Sequence, residues 1–79
     1  MRPFEWKELK ALAELRSFEF DRHKGDHYIM RKSGAPRPVV IPMKKHLKED
    51  IVLSVAKTIG MSRRELEDYI RNPKAFLSS

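Results

Sequence analysis

A histidine set in a glycine turn and preceded by cations has the parts needed to move a proton beside a phosphate. The segment Arg22-His23-Lys24-Gly25-Asp26-His27 has that form. Gly25 permits a tight turn and a close approach of backbone to ligand, and His27 follows at the start of a strand. Arg22 and Lys24 lie just upstream. A second basic group, Lys44-Lys45-His46-Leu47-Lys48, stands before the second helix, whose N-terminal amides offer a further place for an anion. A helical layer on a three-stranded sheet allows the two groups to come together.

Cutting RNA without a metal requires a base that takes the ribose 2′-OH proton, so that this oxygen can attack the adjacent phosphate. It also requires cations for the charge that builds on the phosphorane oxygens. Histidine, with an unperturbed pKa of about 6.5, suits the first task near neutral pH. Lys and Arg suit the second, and only RNA has the hydroxyl. The same residues also fit a non-catalytic RNA-binding module, or a module for an acidic protein partner. A metal site fits poorly. His23 and His27 have a spacing that gathers ligands on a helix, yet they straddle a glycine turn, and Cys ligands are missing. No metal and no cofactor are expected.

The whole composition agrees with a polyanion partner. The 79 residues carry 17 Lys and Arg against 11 Asp and Glu, a formal charge of +6. The absence of cysteine excludes a disulfide, a thiolate nucleophile and a Cys-rich zinc site. Apolar runs such as Val39-Val40-Ile41 are too short to span a membrane, and the leading Met-Arg-Pro-Phe-Glu-Trp lacks the apolar stretch of a signal peptide. A soluble, cytoplasmic protein is expected. Its small core supplies about 3–5 kcal/mol.

Several elements must position these groups. From Pro3 to Arg16, Trp6, Leu9, Leu12 and Ala13 share one face and Lys7, Lys10 and Glu14 the other, an amphipathic helix with Pro3 in its first turn. Phe18 and Phe20 then alternate with Glu19 and Asp21, predicting a strand to about His23. A second strand runs from Asp26 to Lys32, and a third from Arg37 to Pro42, bounded by prolines. Ile51, Val52, Val55, Ala56 and Ile59 make one face of a second helix, with Gly60 as its C-terminal glycine. Ser62-Arg63-Arg64-Glu65 is a capping box that opens a short third helix buried through Leu66, Tyr69 and Ile70. The sequence therefore predicts an α+β, two-layer α-β-β-β-α sandwich with an antiparallel sheet and a short C-terminal helix, one domain over residues 1–73. Residues 74–79 read as a loose tail. Trp6 and the phenylalanines read as core. If Ile29 faces the helices, Tyr28 and Met30 lie on the open side of the sheet, free to stack on RNA or meet a partner.

The chain resembles the HicA family of toxins. The matching features run from Glu8 to about Tyr69: the leading helix, Lys24-Gly25-Asp26-His27 followed by Tyr28-Ile29-Met30, Val39-Val40-Ile41-Pro42, the basic loop, and Ile51–Ile59 with Gly60-Met61-Ser62-Arg63-Arg64-Glu65-Leu66. The resemblance implies a fold like that of double-stranded-RNA-binding domains. It also implies an mRNA interferase that stops translation until a HicB antitoxin covers its active site. The family's Gly-x-His histidine corresponds to His27, which the resemblance makes catalytic. RNA binding is then expected of Arg22, Lys24, Gly25, Lys44, Lys45, His46 and Lys48. Two departures stand out. Asp26 replaces a frequent Ser, and strand alternation should turn it away from His27. The family also often has a histidine just after the third strand, where this chain has Met43-Lys44-Lys45 and only then His46.

Overall fold

The helical spacing of Leu9, Leu12 and Ala13 produces helix α1 (Trp6–Leu15), with those three side chains buried. The computed structural model describes residues 1–78, and the elements that follow are β1 (Glu19–Lys24), β2 (His27–Arg31), β3 (Val39–Pro42), α2 (Glu49–Thr58), α3 (Arg63–Arg71) and α4 (Pro73–Ser78). The strands form one antiparallel sheet in the order β1-β2-β3. Helices α1 and α2 both pack on β3. This is the expected α+β arrangement, α-β-β-β-α with the double-stranded-RNA-binding-domain-like order.

Helix α1 starts later than Pro3. Phe4 is instead bridged to Leu47, whose N–H donates to the Phe4 carbonyl at 2.8 Å, and the Trp6 N–H donates to the Lys44 carbonyl at 3.0 Å. These bonds hold Phe4 and Glu5 outside the helix, with Glu5 extended, so Glu5 becomes the N-cap. Phe4 is fully buried by the same docking.

The core lies between α1, α2 and the strand residues Met30, Val39 and Ile41, joined by Leu47, Met61, Leu66 and Tyr69. Helix α2 ends as predicted. Gly60 takes φ 78°, and the Met61 N–H reaches back to the Ala56 carbonyl at 2.8 Å. The capping box of α3 is also present: Ser62 Oγ accepts from the Glu65 N–H at 3.1 Å, and Glu65 Oε1 accepts from the Ser62 N–H at 3.0 Å.

Three expectations need correction. Residues 73–78 form a helix where a loose tail over 74–79 was expected, and Phe76 packs edge-on against Tyr69 with ring centroids 6.0 Å apart. The final residue of that segment, Ser79, lies outside the described residues. Phe20 is 53% exposed because no helix packs closely over β1, and its ring lies against Tyr28, 4.9 Å between centroids. Finally, Tyr28 and Met30 face the helices: their partners Ile41 and Val39 are core residues, and directly opposed residues share a face. Trp6 is only half-buried and covers Tyr28 at 5.3 Å.

Glu8 ties the helical layer together. Its carboxylate accepts from Arg2 (3.0 and 2.8 Å), from the Tyr69 hydroxyl (2.7 Å) and from the Glu5 N–H (3.0 Å). Burial acts to raise the carboxyl, but the Arg2 bonds, the Glu5 amide and the Tyr69 hydroxyl outweigh it and hold the pKa at about 2. Burial, and then the bond to Glu8, pushes the Tyr69 phenol up to about 12. A carboxyl lowered in the folded state stabilises fully above its ordinary value of 4.5, and that contribution is lost as pH falls toward 2. We therefore expect Glu8→Ala to cost about 1–3 kcal/mol near neutral pH, read as a lower Tm. The difference from the parent should shrink as thermal unfolding is repeated from pH 4.5 downward, and an unchanged gap would contradict the role given to Glu8.

Candidate active site

The turn between β1 and β2 is two residues long, because Lys24 pairs directly with His27 and leaves Gly25-Asp26 between them. Gly25 has φ 59°, the positive value that the first central position of a type II′ hairpin turn requires. A Cβ placed there would meet nothing within 4 Å, so the demand for glycine is conformational and the backbone lies open to a ligand.

Register decides what shares a face with His27. Its partners are Lys24 on β1 and Pro42 on β3, and Ile29 pairs with Arg22 and Val40. Arg22, Lys24, His27, Ile29, Val40 and Pro42 therefore belong to the side of the sheet away from the helices. Ile29 is only 6% exposed yet lies outside the main core, while Val40 is 45% exposed. The result is an apolar floor rimmed by cations.

A bulge makes this grouping. Phe20 pairs with Met30, but the next pair is Arg22 with Ile29, so Asp21 is the extra residue. The bulge shifts the alternation by one and moves Arg22 and Lys24 onto the side of His27. His23, opposite Tyr28, goes to the helix side. Asp21 Oδ2 accepts from Arg22 Nη1 at 2.6 Å and from Arg31 Nε at 3.0 Å, which pins the bulge to both strands.

The His27 side chain is 48% exposed and borders two hollows. One is lined by Lys24, Gly25, Ile29 and Val40; the other by Val40 and Pro42 together with Asp50, Ile51, Ser54 and Val55 of α2. The basic loop is tied beside the turn, since the Met43 N–H donates to the Asp26 carbonyl at 2.8 Å. Lys44, Lys45, His46 and Lys48 are all exposed. His46 and Lys48, however, line a separate hollow with Met1, Arg2 and Pro3. The structure thus unites Arg22, Lys24, Gly25 and His27, anchors the start of the basic loop next to them, and leaves its end elsewhere.

Two local expectations fail. The N-terminus of α2 is not an open anion site, because Glu49 and Asp50 occupy its first turn and Asp50 Oδ1 already accepts from the Ile51 N–H at 2.9 Å. Asp26 does not turn away from His27. It belongs to the turn and not to the strand, so alternation does not govern it, and its Oδ1 lies 3.1 Å from His27 Nδ1. Sequence reasoning also missed Asp50, Ile51 and Ser54 as borders of the site, for no local signal links α2 to the end of β2. The carboxylate immediately before a turn histidine was the available signal for Asp26.

Among the described residues, no group of three or more His, Cys, Asp or Glu is arranged to hold a metal ion, and no helix is long and apolar enough to cross a membrane. A family model described as the HicA toxin of bacterial toxin-antitoxin matches residues 6–61. Comparison with curated proteins gave no match, and comparison with solved structures gave none.

The left-handed turn supplies a test of this geometry. Gly25→Ala should cost about 1–2 kcal/mol, and Gly25→Asn less, because Asn is tolerated at the positive-φ positions of hairpin turns. Chemical denaturation of the three proteins checks the order. Equal stability of all three would contradict the positive φ at this turn.

Proposed function

The chain belongs to the HicA family of toxins of bacterial toxin–antitoxin systems, and from that premise we propose that it is a ribonuclease acting on mRNA, with His27 as its proton-transfer group. The observation that carries this reading is the half-exposed His27 side chain on a sheet face shared with Arg22 and Lys24. In the proposed reaction His27 takes the proton of a ribose 2′-OH. The 2′-oxygen then attacks the adjacent phosphorus, and the bond from phosphorus to the 5′-oxygen breaks. That oxygen takes a proton from water and leaves as a 5′-hydroxyl, the other product ends in a 2′,3′-cyclic phosphate, and His27 returns its proton to the solvent. No metal or other cofactor takes part.

The cations have the complementary task. Arg22 and Lys24 stand on the same face as the imidazole, where they oppose the charge that grows on the phosphorane oxygens. Part of the charge on Arg22 is committed to Asp21, whereas Lys24 has no acidic partner within ion-pair distance among the described residues. Lys24 is thus the stronger candidate for the phosphate at the cleavage point. Lys44 and Lys45, anchored beside the turn through Met43, extend the track along the RNA backbone, and His46 and Lys48 continue it away from the cleaved bond. Gly25 leaves the turn open to the strand passing over it.

The exposed Val40 and the rim of cations also suit a protein that covers the site, and we assign that role to a HicB-type antitoxin with an acidic contact surface. Toxin, mRNA and antitoxin would meet in the cytoplasm.

Incubating the purified protein with a defined RNA in EDTA should yield 5′-hydroxyl and 2′,3′-cyclic phosphate ends. His27→Ala should reduce cleavage by about 10²–10⁴-fold while remaining folded. Lys24→Ala should act chiefly through weaker binding and a shallower dependence of affinity on salt. A folded His27→Ala variant that cuts like the parent would remove the assignment. RNA that is bound by the parent yet stays intact would instead favour a non-catalytic RNA-binding module on the same surface.

A further inference from the structure

Strand β3 ends the sheet order β1-β2-β3, and α2 packs against it. The two leave a groove between them whose hollows share a border. The hollow beside His27 and Pro42, closed on the α2 side by Asp50 and Ser54, meets a second one lined by Pro36, Arg37, Ser54, Lys57 and Thr58. Ser54 borders both and is exposed. From Asp50 to Lys57 the helix advances about 10 Å, at 1.5 Å per residue. Arg37 precedes β3 and Lys57 lies in the last turn of α2, so cations from two separate elements line the hollow remote from His27. Both are exposed, and neither has an ion pair among the described residues. The acidic group on this path is Asp50, at the His27 end, with Oδ1 accepting from the Ile51 N–H.

We infer that this groove carries the RNA backbone away from His27, and that Arg37 and Lys57 together hold a phosphate at its far end. The inference rests on the ribonuclease reading for the bond that is cut, and adds the path of the strand beyond it. A polyanion fits because cations stand at both ends: Lys24 beside His27, and Arg37 with Lys57 at the other. The exposed Ser54 hydroxyl between them is a donor for a phosphate oxygen. Asp50 works against a phosphate beside it, so the anchor for the strand lies past it. An added peptide strand fits poorly. β3 has four residues, follows Pro38 and ends in Pro42, and neither proline has an N–H to give to a ladder. A lysine in the last turn of α2 also suits the helix dipole, but that role does not call for Arg37 on the same hollow. Contacts of this kind position the strand and carry no base preference.

The test uses the full chain with Arg37→Ala and Lys57→Ala, and with Lys74→Ala of α4 as an equal loss of charge outside the groove. Binding of a defined RNA is measured over a range of salt in a His27→Ala background, where the RNA stays uncut. Each groove variant should weaken binding about two- to fivefold and reduce the slope of log affinity against log salt by about 0.7, the share of one phosphate on a single strand. Lys74→Ala should do neither. With His27 restored, the two groove variants should raise KM and leave kcat unchanged. Shortening the RNA from one end toward the mapped cleavage point should erase the difference between parent and groove variants, because the far phosphate is then gone. Unchanged binding in the groove variants would overturn the inference. So would an equal loss in Lys74→Ala, or a loss that persists on the shortest RNA, either of which would leave only a general attraction by net charge. RNA bound by the parent yet left intact would overturn the ribonuclease reading instead, and the binding series would still judge the groove.

Discussion

The Met43 N–H donates to the Asp26 carbonyl at 2.8 Å, and that bond joins two segments on which everything at the proposed site depends. On one side it fixes the β1–β2 turn at the residue before His27. On the other it fixes the start of the basic loop just as β3 ends. The loop is then secured again at its far end, where the Lys44 carbonyl accepts from Trp6 and the Leu47 N–H donates to Phe4. A loop this rich in lysine would otherwise be held apart by its own repulsion. Backbone bonds, which salt screens little, bring it to the turn.

Charge is distributed by the same logic. The net excess of +6 is a surface property, and its usefulness depends on which cations are already paired. On the helical side several are. Arg2 is bound to Glu8, Arg16 to Glu65 and Lys10 to Glu14. On the open side of the sheet, Asp21 draws on Arg22 and Arg31 and spends its charge in setting the bulge, and Lys24 remains. The acidic residues therefore serve the fold where the helices meet. Around the hairpin and the loop that follows β3, the exposed cations Lys24, Lys44, Lys45 and Lys48 have no ion pair among the described residues. The carboxylate of Asp26 is the exception, with Oδ1 3.1 Å from His27 Nδ1.

Much of the architecture could be read from residue spacing, and the failures share a cause. The helical stripes of Leu9, Leu12 and Ala13, and of Val52, Val55 and Ala56, are local patterns and produced the expected buried faces. The Ser62–Glu65 capping box and Gly60 were equally local. Strand faces were not. The period of Phe18 and Phe20 assigns sides correctly only until Asp21, where the bulge adds a residue and reverses everything downstream. Bulge position depends on side chains from two strands, here Asp21 and Arg31, so one strand's pattern does not reveal it. The same limit explains Phe20, whose exposure depends on where the helices lie, and the start of α1, which depends on the pairing of Phe4 with Leu47. At the site, the Gly25-to-His27 turn was plain in the sequence. The border supplied by Asp50, Ile51 and Ser54 needed the tertiary structure.

The fold also keeps its stability apart from the proposed chemistry. The fully buried side chains Phe4, Leu9, Leu12, Met30, Ile41 and Leu66 lie in the helical layer or beneath it, closed by the Glu8–Tyr69 bond. All of β1 is exposed, and no residue of the β1–β2 turn contributes to the core. Burial of apolar surface is the main favourable contribution to folding, at about 25 cal/mol per Å². A half-exposed histidine at the end of β2 contributes little of it. Substitutions at Lys24, Asp26 and His27 should therefore be read as changes in function with the fold intact, whereas Gly25 is set apart by its backbone conformation. A hairpin with so little cover also opens more readily than the layer behind it. A partner that covered this face would gain twice, by hiding the charged groups and by ordering the strand that carries them.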